Sequence, residues 1–289
     1  MGNIERFKNA PTLMSPITYF PGAKSVIAVA MRIPRGTYRG IEEGTHWHNY
    51  TFYSYNKLNS LFRPRLSYEL ACFIEDHGWE AVAHYPAVPE GNGTMKEPVR
   101  DGIPPDVVCS VRVIAAGCGL GEIGFSKVFL TKKFGPRVRL GLIFTDCELE
   151  PDPILSTGDI CIHCGACARA CPGDAIPSVK DESKRLTVDF GEKAVWWGDV
   201  RMGRCTLSHH GMNNECSPFL KKEFPNMAFD VRHSEMTEEE AYILSYTMAN
   251  GKWGRKPETV SDGVNPYREE FLDENYPGIR ANEYKKTED

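Results

Sequence analysis

The chain has 289 residues, 41% of them hydrophobic and 25% charged, and a net charge of -5. This is the composition of a soluble globular protein with core enough for one large domain or two modest ones. The negative balance leaves no basic field to hold a long nucleic acid, which counts against an RNA or DNA substrate. No apolar run of roughly 18 residues, no apolar segment behind a charged N-terminus and no twin-arginine pair near Met1 is present. The expectation is a cytoplasmic protein with no membrane partner. Ten cysteines, six of them from Cys161 to Cys216, then point to metal binding under reducing, anaerobic conditions.

In chain order, Val26 to Ile33 is an apolar run between a Gly-containing turn and Pro34, and reads as a buried strand. Residues 35 to 59 are rich in Gly, Tyr and His, with His46, His48, Tyr50, Tyr53 and Tyr55, and read as a loop able to cover a ligand or pack on a core. Residues 64 to 78 have apolar residues at helical spacing and stop at Gly78. Trp79 to His84 reads as a second strand, which gives a strand, helix, strand start to an α/β domain. Residues 86 to 105 form a long Pro- and Gly-containing loop. From Val107 the chain reads as helical into a glycine cluster, Gly117, Gly119, Gly121 and Gly124. These glycines follow a helix-like stretch, not the strand a dinucleotide fingerprint requires. Their close spacing implies that the backbone approaches a ligand or another element tightly. Arg137 to Asp146 is a further strand.

The stretch Cys161 to Pro172, CIHCGACARACP, carries cysteines at every third position, a fourth four residues on, and a proline. This is the bacterial ferredoxin spacing. A Cys-x-x-Cys-x-x-Cys loop curls three thiolates onto one cubane, and Gly165 and Ala166 let the backbone approach it. Zinc sites pair two separated Cys-x-x-Cys units, and disulfides need an oxidising compartment. Residues 179 to 202 read as a connecting stretch. Glu238 to Asn250 reads as a helix begun at Thr237 and stopped by Gly251, with a polar tail from Lys252. Cys72, Cys109, Cys118 and Cys147 lie in or beside apolar elements and read as core residues, with Cys118 also placed to face a cofactor.

The stretch AAGCGLGEIGFSKVFLTKKFGPRVRLGLIFTDCELEPDP, followed by CIHCGACARACPGDAI, resembles the cobalamin-dependent reductases that include reductive dehalogenases and epoxyqueuosine reductase. PGAKSVIAVA and SYELACFIEDHG add a fainter match. The resemblance implies an α/β (α+β) fold: a nitroreductase-like cobalamin-binding core over residues 1–150, a ferredoxin-like 4Fe-4S domain over 151–230, and a helix and surface tail over 231–289. It implies electrons passing from clusters to cobalt, and Co(I) reducing a small organic substrate. Corrin contact falls on Gly117, Cys118, Gly119, Leu120, Gly121 and Gly124, with Phe134, Gly135, Arg137 and Arg139. A proton donor falls near Asp106, which is equally good as a helix N-cap, or on Tyr50, Tyr53 or Tyr55. Reduced ferredoxin or flavodoxin is the electron donor expected by analogy.

Three departures qualify this. The family's second cysteine run keeps only Cys205 and Cys216. If Cys216 heads the run, Phe219 and Glu223 replace its cysteines; if Cys216 ends it, His209 and Met212 do. In the second register Cys161, Cys164, Cys167 and Cys216 complete one cluster, leaving Cys171 and Cys205, with His209 or His210, for a second cluster or for none. Six thiolates, Cys161, Cys164, Cys167, Cys171, Cys205 and Cys216, cannot fill eight positions, so the expectation is one [4Fe-4S] cluster with the second open. Neither an RNA-binding extension nor an export signal is recognised. The leading reading is a cobalamin-dependent reductase; the rivals are an electron carrier or corrinoid-handling protein with no substrate of its own, and a flavin in the same core.

Overall fold

The computed structural model describes residues 1–9, 16–84, 109–209, 212–213, 215–216 and 230–249. They fall into two compact units, Met1–Cys164 with Glu182–Gly198, and Gly165–Asp181 with Asp199–Asp289. The cuts drawn from sequence after residues 150 and 230 do not coincide with the passages between these units.

The strands of the first unit are β1 (Gly2–Asn3), β2 (Ser25–Arg32), β3 (Ala81–His84), β4 (Glu122–Ile123), β5 (Phe129–Leu130), β6 (Val138–Thr145), β7 (Arg185–Asp189) and β8 (Ala194–Gly198). Its helices are α1 (Pro16–Tyr19), α2 (Arg39–Glu42), α3 (Arg63–Asp76) and α4 (Val111–Gly117). Four strands form a sheet in the order β1-β2-β6-β3. β2 and β3 each pair antiparallel with β6, so they run parallel to each other with β6 between them. The expected strand, helix, strand start is therefore a split unit. β6 takes the centre because it is apolar on both sides.

Side chains alternate between the two faces of the sheet. Ile27, Val29, Gly141 and Ile143 share the face covered by Ala71 and Ile74 of α3. Ala28, Ala30, Leu140, Leu142 and Phe144 share the other, packed with Ile114 and Ala115 of α4 and with Phe7. Helices on both sides of one sheet give the mixed helix-and-strand architecture expected from the sequence.

Two stretches differ from expectation. The stretch read as a Gly-, Tyr- and His-rich loop is largely helical, ending in a π-helix over Asn49–Phe62 that runs directly into α3. No Gly or Pro interrupts 49–62, and Ser54 and Leu58, four residues apart, are its buried positions. The stretch read as a connector is a hairpin, β7 paired with β8 around a turn at Gly191 with φ 82°. It joins the first unit because Val188, Phe190, Val195 and Trp197 enter that core.

In the second unit, α5 (Ala166–Arg169) lies in the cysteine run, and α6 (Met202–His209) packs on α7 (Glu238–Ala249). α7 starts with a capping box: Glu240 N–H donates to Thr237 Oγ1 at 3.2 Å, and Thr237 N–H donates to Glu240 Oε2 at 2.7 Å. The buried Arg204 guanidinium donates to the carbonyls of Val231, Ser234 and Met236, which fixes the turn before α7. The loop at 86–105 and the tail from Lys252 lie outside the described residues. Among the described residues no helix is long and apolar enough to cross a membrane.

Candidate iron-sulfur centre and ligand cavity

The glycines of the cluster sit in close contact with neighbouring backbone and side chains. A Cβ on Gly119, which has φ 73°, would lie 2.4 Å from the Pro153 carbonyl oxygen, and one on Gly121 would lie 2.2 Å from that of Leu130. A Cβ on Gly124 would meet Leu130 Cδ1 at 2.9 Å. Gly121 and Gly124 thus let the chain press β4 against β5, and Gly119 lets it approach Pro153.

A cavity of about 670 Å³ opens in the first unit, within the range of small-molecule pockets. Ala28 and Ala30 of β2, with Gly119 and Leu120, supply an apolar side; Lys132, Lys133 and Phe134 supply a cationic and aromatic one. Phe134 lies under two cations, Arg32 at 5.7 Å and Lys133 at 5.4 Å from the ring centroid. Four of the residues expected to hold the cofactor, Cys118, Gly119, Leu120 and Phe134, line this cavity. Gly117, Gly121, Gly124, Gly135, Arg137 and Arg139 do not. Cys118 is almost fully buried and its Sγ reaches the Val26 carbonyl at 3.6 Å. Burial pushes its thiol up to about 12, which keeps it a neutral, inert core group.

The tyrosines expected as proton donors sit elsewhere. Arg139 donates through Nη2 to the Tyr50 hydroxyl at 3.2 Å and lies 5.5 Å from the Tyr55 ring centroid. Tyr50 also packs on Tyr38, whose hydroxyl is pushed above its ordinary range by burial and then by Tyr50 itself. Arg139 pairs with Met31 across β2, on the α3 face of the sheet, whereas the cavity borders Ala28 and Ala30 on the other. Tyr50 and Tyr55 gather around Arg139; Tyr53 is 61% exposed. Asp106, His210, Phe219 and Glu223 lie outside the described residues.

The cysteine run is shaped by its backbone. His163 has φ 51° and Gly165 has φ 70°, left-handed residues that turn the loop before α5. In the first unit, Phe125 N–H donates to Cys161 Sγ at 3.4 Å. His163 stacks on Trp196, ring centroids 4.5 Å apart. In the second unit, Ala175 N–H donates to Cys171 Sγ at 3.2 Å. Burial raises the Cys216 thiol to about 11, with Cys171 and Glu215 adding to it and a hydrogen bond with Ser208 opposing. Cys164 is exposed, and Cys167 and Cys205 are half-buried. Met212 is buried, where one register had it replacing a cysteine. Among the described residues no three His, Cys, Asp or Glu side chains converge as a single metal ion would require; a cubane spreads its thiolates more widely than an ion does. Amide N–H groups aimed at cysteine sulfurs suit thiolates that carry a cluster, so the donor set fits an iron-sulfur group.

Sequence reasoning missed Glu122. Its side chain is 2% exposed and accepts from the N–H groups of Gly158 at 2.8 Å, Ile160 at 2.6 Å and Cys161 at 3.0 Å. The available signal was an acidic residue between glycines in GLGEIG, where an apolar residue would suit a buried strand.

Comparison with known proteins agrees with this chemistry. A 4Fe-4S binding domain model matches residues 158–176. A tetrachloroethene reductive dehalogenase of Desulfitobacterium hafniense is 38% identical over 118 residues, 40% of this chain and 18% of that protein. Its counterpart in Dehalobacter restrictus is 35% identical over 119 residues, again 40% of this chain and 18% of the relative. The chain thus spans about a fifth of the length of these relatives. The structure of epoxyqueuosine reductase from Streptococcus thermophilus aligns with TM-score 0.38 and 13% identity, covering 91% of this chain and 60% of that one. The chain resembles the reductive dehalogenases over two-fifths of its length and matches a 4Fe-4S binding domain at its cysteine run.

Proposed function

We propose that this protein is an iron-sulfur, cobalamin-dependent reductase of a small organic molecule. The observation that carries the reading is the joining, in one chain, of a 4Fe-4S binding domain at 158–176 with a stretch 38% identical to tetrachloroethene reductive dehalogenases. Cys161, Cys164 and Cys167 are the proposed thiolates of one cluster, with Cys216 as the fourth. The cavity beside Gly119, Leu120 and Phe134 is the proposed cobalamin site. Ala28, Ala30 and Leu120 give it an apolar side, Phe134 offers a flat face held by Arg32 and Lys133, and Lys132 supplies a donor for orienting a bound molecule. Cobalamin, when bound, supplies a low-valent metal centre able to donate electrons to an organic electrophile. Reduced ferredoxin or flavodoxin is the proposed source of electrons.

The test is anaerobic purification with cobalamin supplied, followed by measurement of iron, sulfide, cobalt and flavin per chain. The expected result is iron near four and cobalt near one per chain, with turnover of a chlorinated substrate under a low-potential donor. Leu120→Trp, which pushes an indole into the cavity beside Phe134, should weaken cobalt retention while leaving iron unchanged. Iron without cobalt after reconstitution would overturn the cobalamin reading and favour an electron carrier, and flavin absorbance would assign the cavity to flavin.

A further inference from the structure

The segment Glu122 to Phe125 holds Cys161 at two points. Glu122 accepts the Cys161 amide N–H at 3.0 Å, and the Phe125 amide donates to Cys161 Sγ at 3.4 Å. The segment itself is fixed. Glu122 pairs with Leu130 across β4 and β5, Gly121 sits too close to the Leu130 carbonyl to admit any side chain, and the Phe125 carbonyl accepts from Gly198 N–H at 3.0 Å. Among the described residues, three backbone N–H donors converge on the Glu122 carboxylate. Carboxylate oxygens satisfy that set, whereas a carboxamide would turn its own donors toward one of the amides.

Resting on the reading that residues 158–176 carry a 4Fe-4S cluster, we propose that Glu122 is the positioning residue of that centre. Its buried carboxylate fixes the backbone of 158–161 so that Cys161 Sγ meets the Phe125 amide, and its negative charge, one peptide from a ligand, holds the reduction potential down. The physics is direct. Cluster potentials respond to net charge, to hydrogen bonds on sulfur and to solvent exposure. A charge of 2% exposure is poorly screened by water. Adding an electron beside it is harder than beside a neutral group of the same shape. The GLGEIG motif thus serves the iron-sulfur loop, in addition to lining the cavity through Gly119 and Leu120.

The experiment compares the full-length protein with Glu122→Gln and Glu122→Asp, all purified anaerobically. It reads iron and sulfide per chain, the lifetime of the centre under chelator challenge, the midpoint potential from an EPR-monitored reductive titration, and circular dichroism as the check on folding. Glu122→Gln is expected to shorten the chelator lifetime at least tenfold and to move the midpoint to more positive potential. Glu122→Asp keeps the charge but withdraws the oxygens, so it should shorten the lifetime and leave the potential nearly unchanged. A purely structural role would alter lifetime in both variants and potential in neither, and that outcome overturns the electrostatic assignment. If Glu122→Gln does not fold, or loses its centre entirely, Glu122→Asp decides: a wild-type chelator lifetime in a folded protein overturns the anchor. Wild-type protein without iron would instead refute the 4Fe-4S reading itself, and iron in all three with identical lifetimes and potentials would refute the role of Glu122 alone.

Discussion

On one face of the four-stranded sheet Leu140, Leu142 and Phe144 fill space, whereas on the other Gly141 leaves room for Ser67, Val29 and Arg63. The first face carries α4, the core and, at its edge, the cavity; the second carries α3 and the Tyr50–Arg139 cluster. A strand with apolar residues at nearly every position therefore supports two different environments. One is sensitive to lost volume, the other to added volume.

The largest break in this comparison comes from the first face. Leu142 is fully buried at the centre of β6, and Leu142→Ala should destabilise the protein by about 2–5 kcal/mol through lost burial plus a residual void. Chemical denaturation measures it; a loss under 1 kcal/mol would mean that this face is loosely packed.

The same face carries a pH-sensitive group. His84 lies opposite Leu142, packs on Tyr19 and Phe144, and its Nδ1 has no hydrogen-bond partner among the described residues. Burial, with the Arg63 charge adding, lowers its imidazole from 6.5 to about 4. The unfolded chain takes up this proton near 6.5 and the folded chain only near 4. Stability is therefore full above pH 6.5 and declines as pH falls through that window, by on the order of 3 kcal/mol. Denaturation curves across the window should show the decline, and His84→Leu should flatten it; an unchanged slope would place the acid sensitivity elsewhere.

On the second face the sign of the volume change reverses. A Cβ on Gly141 would sit 2.8 Å from Ser67 Oγ and 3.0 Å from Val29 Cγ2, so Gly141→Ala should cost about 1–3 kcal/mol. Pairing it with Ser67→Ala should recover part of the loss, which a double-mutant cycle reads directly. The smallest effect is expected at the half-buried rim of this face. Tyr50→Phe removes the hydrogen bond from Arg139 and should lower stability by about 0.5–1.5 kcal/mol. If the cavity on the other face holds cobalamin as proposed, cobalt retention should be unaffected.

The strands Ser25–Arg32 and Val138–Thr145, helix α3 with its stop at Gly78, the Thr237 cap and the ferredoxin spacing were all legible in the sequence. Each is written in local apolar period, turn chemistry or ligand spacing, which need no knowledge of distant residues. The resemblance to reductive dehalogenases was legible for the same reason, since it rests on contiguous motifs. The helical form of 49–62 was not, because its aromatic composition suits loops as well as helices. Nor was the hairpin at 185–198, whose inward side is defined only by the core it enters. Tertiary structure alone decided that Gly121 and Gly124 of GLGEIG pack against Leu130, that Arg139 and Ala30 face opposite sides of one sheet, and that Glu122 reaches the amides of 158–161. Those facts depend on strand register and on contacts between separate segments, which for Glu122 lie 36 to 39 residues apart. Local sequence sets what each segment prefers, but the pairing that minimises buried, unsatisfied polar groups is a property of the whole fold.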